Sequence, residues 1–142
     1  MSLRQLSILN LCLLVFCMAI SSCFDKPSKS ELLKSGKWQL VEYINYPGLG
    51  SQPIDMYSVL PSCEKDNFYI FGSNDTGELN EGLTKCSATA PQEIPFYWKL
   101  GEDGTLNFDG KVWKVFISET ELGINTVKHI GGKGDLKTFV KF

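Results

Sequence analysis

Five cysteines and one histidine are the residues of this sequence with the widest chemical reach. A thiolate can attack a carbonyl or hold zinc, and an imidazole can move a proton or complete a tetrahedral site. The spacing favours neither. There is no Cys-x-x-Cys, and His129 stands alone beside Ile130 and a glycine-rich stretch, far along the chain from Cys63 and Cys86. The adjacent carboxylates Glu102 and Asp103 precede Gly104, so a turn explains them. Glu64 and Asp66 follow Cys63 as solvated loop charges. No Gly-x-Ser-x-Gly, His-Glu-x-x-His or phosphate-cradling glycine loop is present. The expectation is a protein that is not an enzyme and that uses no metal or cofactor.

What remains is noncovalent chemistry, and aromatic residues supply it. Trp38, Trp98 and Trp113 accompany Phe68, Phe71, Phe96, Phe108, Phe116, Phe139 and Phe142. A chain of 142 residues, 43% hydrophobic and 21% charged, has the size of one domain and enough apolar content to bury a core. Its 14 Lys and Arg against 16 Asp and Glu leave a net charge of −2. That balance lacks the basic face that phosphate recognition needs, so nucleic acid is not an expected partner.

The beginning of the chain reads as an address. Arg4 is the one charge in residues 1–10, and an apolar run follows from Leu11 through Ile20. The run falls short of the ~20 residues a spanning helix needs, and small residues follow it, which is the secretory pattern. Ile20-Ser21-Ser22-Cys23 resembles the lipobox of bacterial lipoproteins. That resemblance implies cleavage before Cys23, a diacylglycerol on its thiol and acylation, palmitate for instance, of its new amino group. The alternative is an ordinary signal peptide with a chance cysteine at its boundary. On the lipoprotein reading, 1–22 is the signal peptide, 23–30 a lipidated tether and 31–142 the folded domain. Two or three acyl chains hold a protein stably where one does not. The expected location is the envelope of a Gram-negative cell, anchored to the outer membrane. Asp25 alone does not resemble the acidic cluster of surface-exposed lipoproteins, so the face of that membrane stays open.

Export also bears on the thiols. Cys12 and Cys17 leave with the signal and Cys23 takes the lipid, so Cys63 and Cys86 remain. An oxidising compartment favours a disulfide between them, stabilising by roughly 3 kcal/mol through loop entropy. Metal binding is the rival reading, and the lack of neighbouring ligands weighs against it.

The domain reads as a strand meander. Ser28-Lys29-Ser30-Glu31 fits a capping box, Leu32 and Leu33 give the short helix an apolar side, and Gly36 ends it. Residues 38–44 form the first strand, and a long connection with a minor strand near 56–60 follows. Further strands are expected at 67–71, 76–84, 94–100, 105–108, 111–118, 121–128 and 136–142. Asp109-Gly110 marks the strongest hairpin turn. Short strands at this spacing, without helical crossovers, imply an all-β fold and exclude a parallel sheet. Closure removes exposed edges, so the expected architecture is a small antiparallel up-and-down barrel of about eight strands with a short N-terminal helix.

Gly36-Lys37-Trp38, opening the first strand after a short helix, resembles the Gly-x-Trp signature of lipocalins, whose Trp plugs the closed end of the barrel. The lipobox, the two mid-chain cysteines and the Trp98-Lys99-Leu100 to Asp103-Gly104-Thr105-Leu106 hairpin are similar to bacterial lipocalin-like lipoproteins, over residues 31–142. Lipocalins place a late-strand Arg over the Trp. Arg4 is the one arginine here, so Lys137 or Lys141 is the expected substitute. There is also no Thr-Asp-Tyr segment.

An eight-stranded barrel is just wide enough to be filled by side chains or to hold one small ligand. Strand parity selects Phe68, Ile70, Phe96, Trp98, Phe108 and Phe116 as candidate lining residues. The leading expectation is therefore an envelope lipoprotein whose barrel binds a small hydrophobic ligand. The alternative is a solid-core barrel acting on an envelope protein partner through loops at 47–61 and 87–91, as small lipoprotein inhibitors of lysozyme do. Trp113, Val115 and Ile117 on one face and Val112 and Phe116 on the other leave an apolar face of that strand to be covered.

Overall fold

A computed structural model describes residues 26–108, 110–126 and 132–142. The segment 1–22 expected to be a signal peptide, Cys23, Asp109 and His129 lie outside the described residues. Helix α1 (Lys29–Lys34) begins with the expected capping box: the Glu31 backbone N–H donates to Ser28 Oγ at 3.2 Å, and the Ser28 N–H donates to Glu31 Oε2 at 2.7 Å. Leu32 and Leu33 are its buried residues.

The described residues then form β1 (Lys37–Tyr46), β2 (Ile54–Asp55), helix α2 (Ser62–Lys65), β3 (Phe68–Phe71), β4 (Thr76–Asn80), β5 (Glu93–Leu100), β6 (Thr105–Phe108), β7 (Lys111–Ile117), β8 (Glu121–Asn125) and β9 (Gly134–Lys141). Successive strands from β3 to β9 pair antiparallel. β1 pairs with β3 on one side and β9 on the other, so eight strands close into a barrel. β2 is an extra strand on the far half of β1, paired at Ile44 and Asn45. The minor strand expected near 56–60 lies earlier and is shorter; Met56 and Tyr57 instead donate their N–H groups to the Tyr43 carbonyl.

One end of the barrel is shut. Trp38 is fully buried and its Nε1 donates to the Leu33 carbonyl at 2.7 Å, locking α1 over the opening. Lys141 supplies the cation over that indole, with Nζ 6.0 Å from the ring and 3.2 Å from Ser35 Oγ. Gly36 makes room for it, because a Cβ there would lie 2.5 Å from Lys141 Cγ. Behind this plug, Phe71 meets Phe96 and Trp98 edge-on at 5.4 Å in each case, and Phe96 meets Phe108 at 4.6 Å. Such pairs add to the area they bury. Gly77, directly opposite Phe96, lets that ring lie across β4: a Cβ there would sit 2.4 Å from the ring.

The Cys63–Cys86 disulfide is present, with Cα atoms 5.2 Å apart, and ties α2 to the loop between β4 and β5. Asp66 Oδ2 reinforces that loop by accepting from the Leu83 and Thr84 N–H groups at 3.0 and 2.8 Å. Reducing the disulfide is expected to lower stability by roughly 3 kcal/mol, less whatever order Asp66 maintains. Urea unfolding with and without reductant measures the difference; coincident midpoints would refute it.

Candidate functional site

Alternation along each strand decides which side chains reach the interior. On β3 these are Tyr69 and Phe71, and on β6 Leu106 and Phe108. β7 contributes Trp113, Val115 and Ile117, whose partners Ile124 and Leu122 on β8 are also interior. β9 contributes Phe139 and, nearer the end away from α1, Lys137. Between them lies a cavity of about 80 Å³ walled by Tyr69, Phe71, Phe108, Trp113, Leu122, Ile124, Lys137 and Phe139. An engineered cavity of ~150 Å³ accepts benzene, and one water occupies ~30 Å³ of liquid. Usual small-molecule pockets run from ~300 Å³ upward. The space suits a compact group of a few heavy atoms and is too small to enclose a fatty acid or a sterol.

The six lining residues expected from strand parity divide into three groups. Phe108 stands on the cavity wall. Phe96 and Trp98 are buried inside the barrel but pack behind that wall, with Trp98 Nε1 donating to the Thr76 carbonyl at 2.9 Å. Phe68, Ile70 and Phe116 do not line the interior. Phe68 faces outward, against Phe142 at 5.7 Å and beneath Lys37 Nζ at 4.6 Å, and Ile70 shares that outer face. Tyr69 takes the inward position because it lies directly opposite Trp38. Phe116 is 62% exposed, lying opposite Gly123 on the outside. Aromatic and aliphatic residues occupy both parities of β3 and β7, so the alternation alone does not choose between the faces.

Two polar groups in the wall are unusual. Trp113 Nε1 is buried and has no hydrogen-bond partner among the described residues. Lys137 lies opposite Tyr43 on β1, with its Nζ 4.4 Å from the Tyr43 ring centroid. No carboxylate lies within ion-pair distance of that ammonium among the described residues. The nearby Asp135 accepts from Asn45 Nδ2 at 2.9 Å. A β-bulge between Leu40 and Glu42 brings this group together, turning Tyr43 and Asn45 to the side that Lys137 and Asp135 occupy. Burial lowers the Lys137 pKa below the ordinary 10.5, with Lys111 adding repulsion and Asp135 opposing both. Burial, then the Asp135 charge and hydrogen bond, raise that of Tyr43 above 10.0.

Among the described residues, no group of three His, Cys, Asp or Glu side chains is placed to hold a metal ion. No helix among them is long and apolar enough to cross a membrane. Lys137 and Trp113 escaped the candidate set for different reasons. The sequence offers Lys137, beside Lys141, only as a cation over Trp38, and Trp113 shares its strand with Phe116 on the opposite parity.

The Lys137 ammonium has a pH signature. The folded chain releases this proton at lower pH than the unfolded chain. Its burial cost is therefore present at neutral pH and relieved as pH rises through the folded pKa toward 10.5. Lys137→Met is expected to stabilise the barrel at neutral pH by up to about 1 kcal/mol, with remaining solvent contact limiting the gain. The advantage should shrink over that alkaline window. Tyr43 ionisation destabilises above 10.0 and touches the same ammonium, so the comparison is read below that pH. Urea midpoints across the pH series measure it; a destabilised Met variant at neutral pH would contradict it.

No protein-family model matches the chain, and no curated protein matches it either, so the chemistry of the site stands on its geometry.

Proposed function

We propose that this is an exported envelope lipoprotein, anchored through Cys23, whose lipocalin-like barrel binds a small apolar molecule at the end opposite α1. The cavity among Tyr69, Phe71, Phe108, Trp113 and Phe139 carries the reading. Its walls are mostly aromatic, the plugged end gives it a floor, and Tyr69, Trp113 and Lys137 bring a small number of polar groups to it, as small-molecule sites require. Its volume narrows the ligand to one with a compact buried portion.

Trp113 is the reporter for this reading, since Trp38 and Trp98 lie away from the cavity wall. Titrating the full chain with small neutral apolar probes such as isobutanol should give a saturable change in tryptophan emission that Trp113→Phe abolishes. Long-chain fatty acids and sterols should give none. Flat titrations across the small probes would remove the ligand-binding reading. They would leave the second one, a protein-interaction barrel, which draws on Leu49 and Leu83. These are 90% and 100% exposed in the loops after β1 and β4.

The anchor is tested separately. Cys23→Ala should abolish palmitate labelling and move the protein from the membrane fraction to the soluble periplasm. Unchanged fractionation would refute lipidation at that residue.

A further inference from the structure

We infer that the cavity is selective for a small monocarboxylate with a compact apolar body, its carboxylate held by the Lys137 ammonium and the Trp113 indole N–H. The inference rests on the cavity being a binding site and goes further, to the charge of what binds. Both residues line the cavity. They lie two strands apart, on β7 and β9, with Ile124 of β8 between them.

An indole N–H donates and cannot accept, and an ammonium has three donors and no acceptor. The missing partner is therefore an acceptor. Trp113 Nε1 has none, although its burial removes it from water. Lys137 has a ring face at 4.4 Å but no carboxylate within ion-pair range. The groups facing it are Tyr43 from β1, Ile124 from β8, Asp135 on its own strand and Lys111 from β7. Asp135, the one acid among them, is already engaged by Asn45. Lys111 adds a second positive charge to the surroundings of Lys137. A neutral acceptor would satisfy the indole but leave the ammonium uncompensated in partly dry surroundings; an anion answers both. Beneath them Phe71, Leu122 and Phe139 offer no polar atom, and about 80 Å³ limits the body of the acid to a few carbons. Binding should restore the charged form that burial disfavours, so affinity should fall as pH rises toward the lysine range.

Calorimetric titration of the full chain with isovalerate and with isovaleramide, its neutral isostere, tests this. At neutral pH the acid should bind about tenfold more tightly, the usual worth of a charge-assisted hydrogen bond. Lys137→Met should remove that preference while keeping the amide affinity. Trp113→Phe should weaken the acid several-fold. The wild-type comparison stands without either variant. Equal affinity for acid and amide, or a preference that survives in Lys137→Met, would overturn the anion selectivity and leave the apolar cavity reading intact. Binding of neither compound would overturn both.

Discussion

β1 pairs with β3 along one edge and with β9 along the other, and this double pairing turns a meander into a barrel. Closure at eight strands fixes the interior width at roughly what side chains can fill. Every later property follows from how that fixed width is occupied. Phe71, Phe96, Trp98 and Phe108 fill the part nearest the plug by edge-on and tilted ring contacts, and Gly77 yields its side-chain space to Phe96. What remains is about 80 Å³. The same constraint excludes a wide lipid-carrying bore and leaves room for a small guest.

The two halves of β1 make the ends of the barrel different. In the first half Trp38 is locked to α1 by its hydrogen bond to Leu33, and Lys141 covers it, its stem passing where a Gly36 side chain would be. The bulge after Leu40 then resets the parity of the strand. Beyond it Tyr43 and Asn45 face Lys137 and Asp135, so polar groups gather where the first half buries apolar ones. One irregular residue step thus separates an end plugged by apolar packing from an end lined with polar groups.

Much of the fold was legible in the sequence because its signals are local. The Ser28–Glu31 capping box, the Gly36 and Trp38 spacing, and the order of the strands from β3 to β9 all depend on neighbours in the chain. The cysteine pairing was legible by elimination. The orientation of strands was legible only where one parity is polar. Trp98 alternates with Tyr97 and Lys99, and both flanking residues are exposed. Phe68-Tyr69-Ile70-Phe71 has no polar parity, and the tertiary partner Trp38 decides in favour of Tyr69 and Phe71. The cationic wall was illegible for a different reason. The sequence offers Lys137 as a cover for Trp38, a place Lys141 takes, and the bulge that gives Lys137 Tyr43 as a neighbour leaves no mark in local propensity.

The choice of Lys137 and Trp113 for that wall runs against stability. A buried donor without a partner costs about 1–3 kcal/mol, and an ammonium drawn out of water costs more unless it is compensated. Met or Leu in place of the lysine and Phe in place of the tryptophan would pack the same strands without either cost. A barrel selected for packing alone has no use for them, whereas one that must receive a partner needs its donors unengaged beforehand. Departures from local consistency gather at functional sites for this reason. Here two of them share one cavity, both are donors, and the nearest acid is turned toward Asn45. On the reading proposed above, such a site is completed by what enters it, with the apolar floor fixing size and the two donors fixing charge.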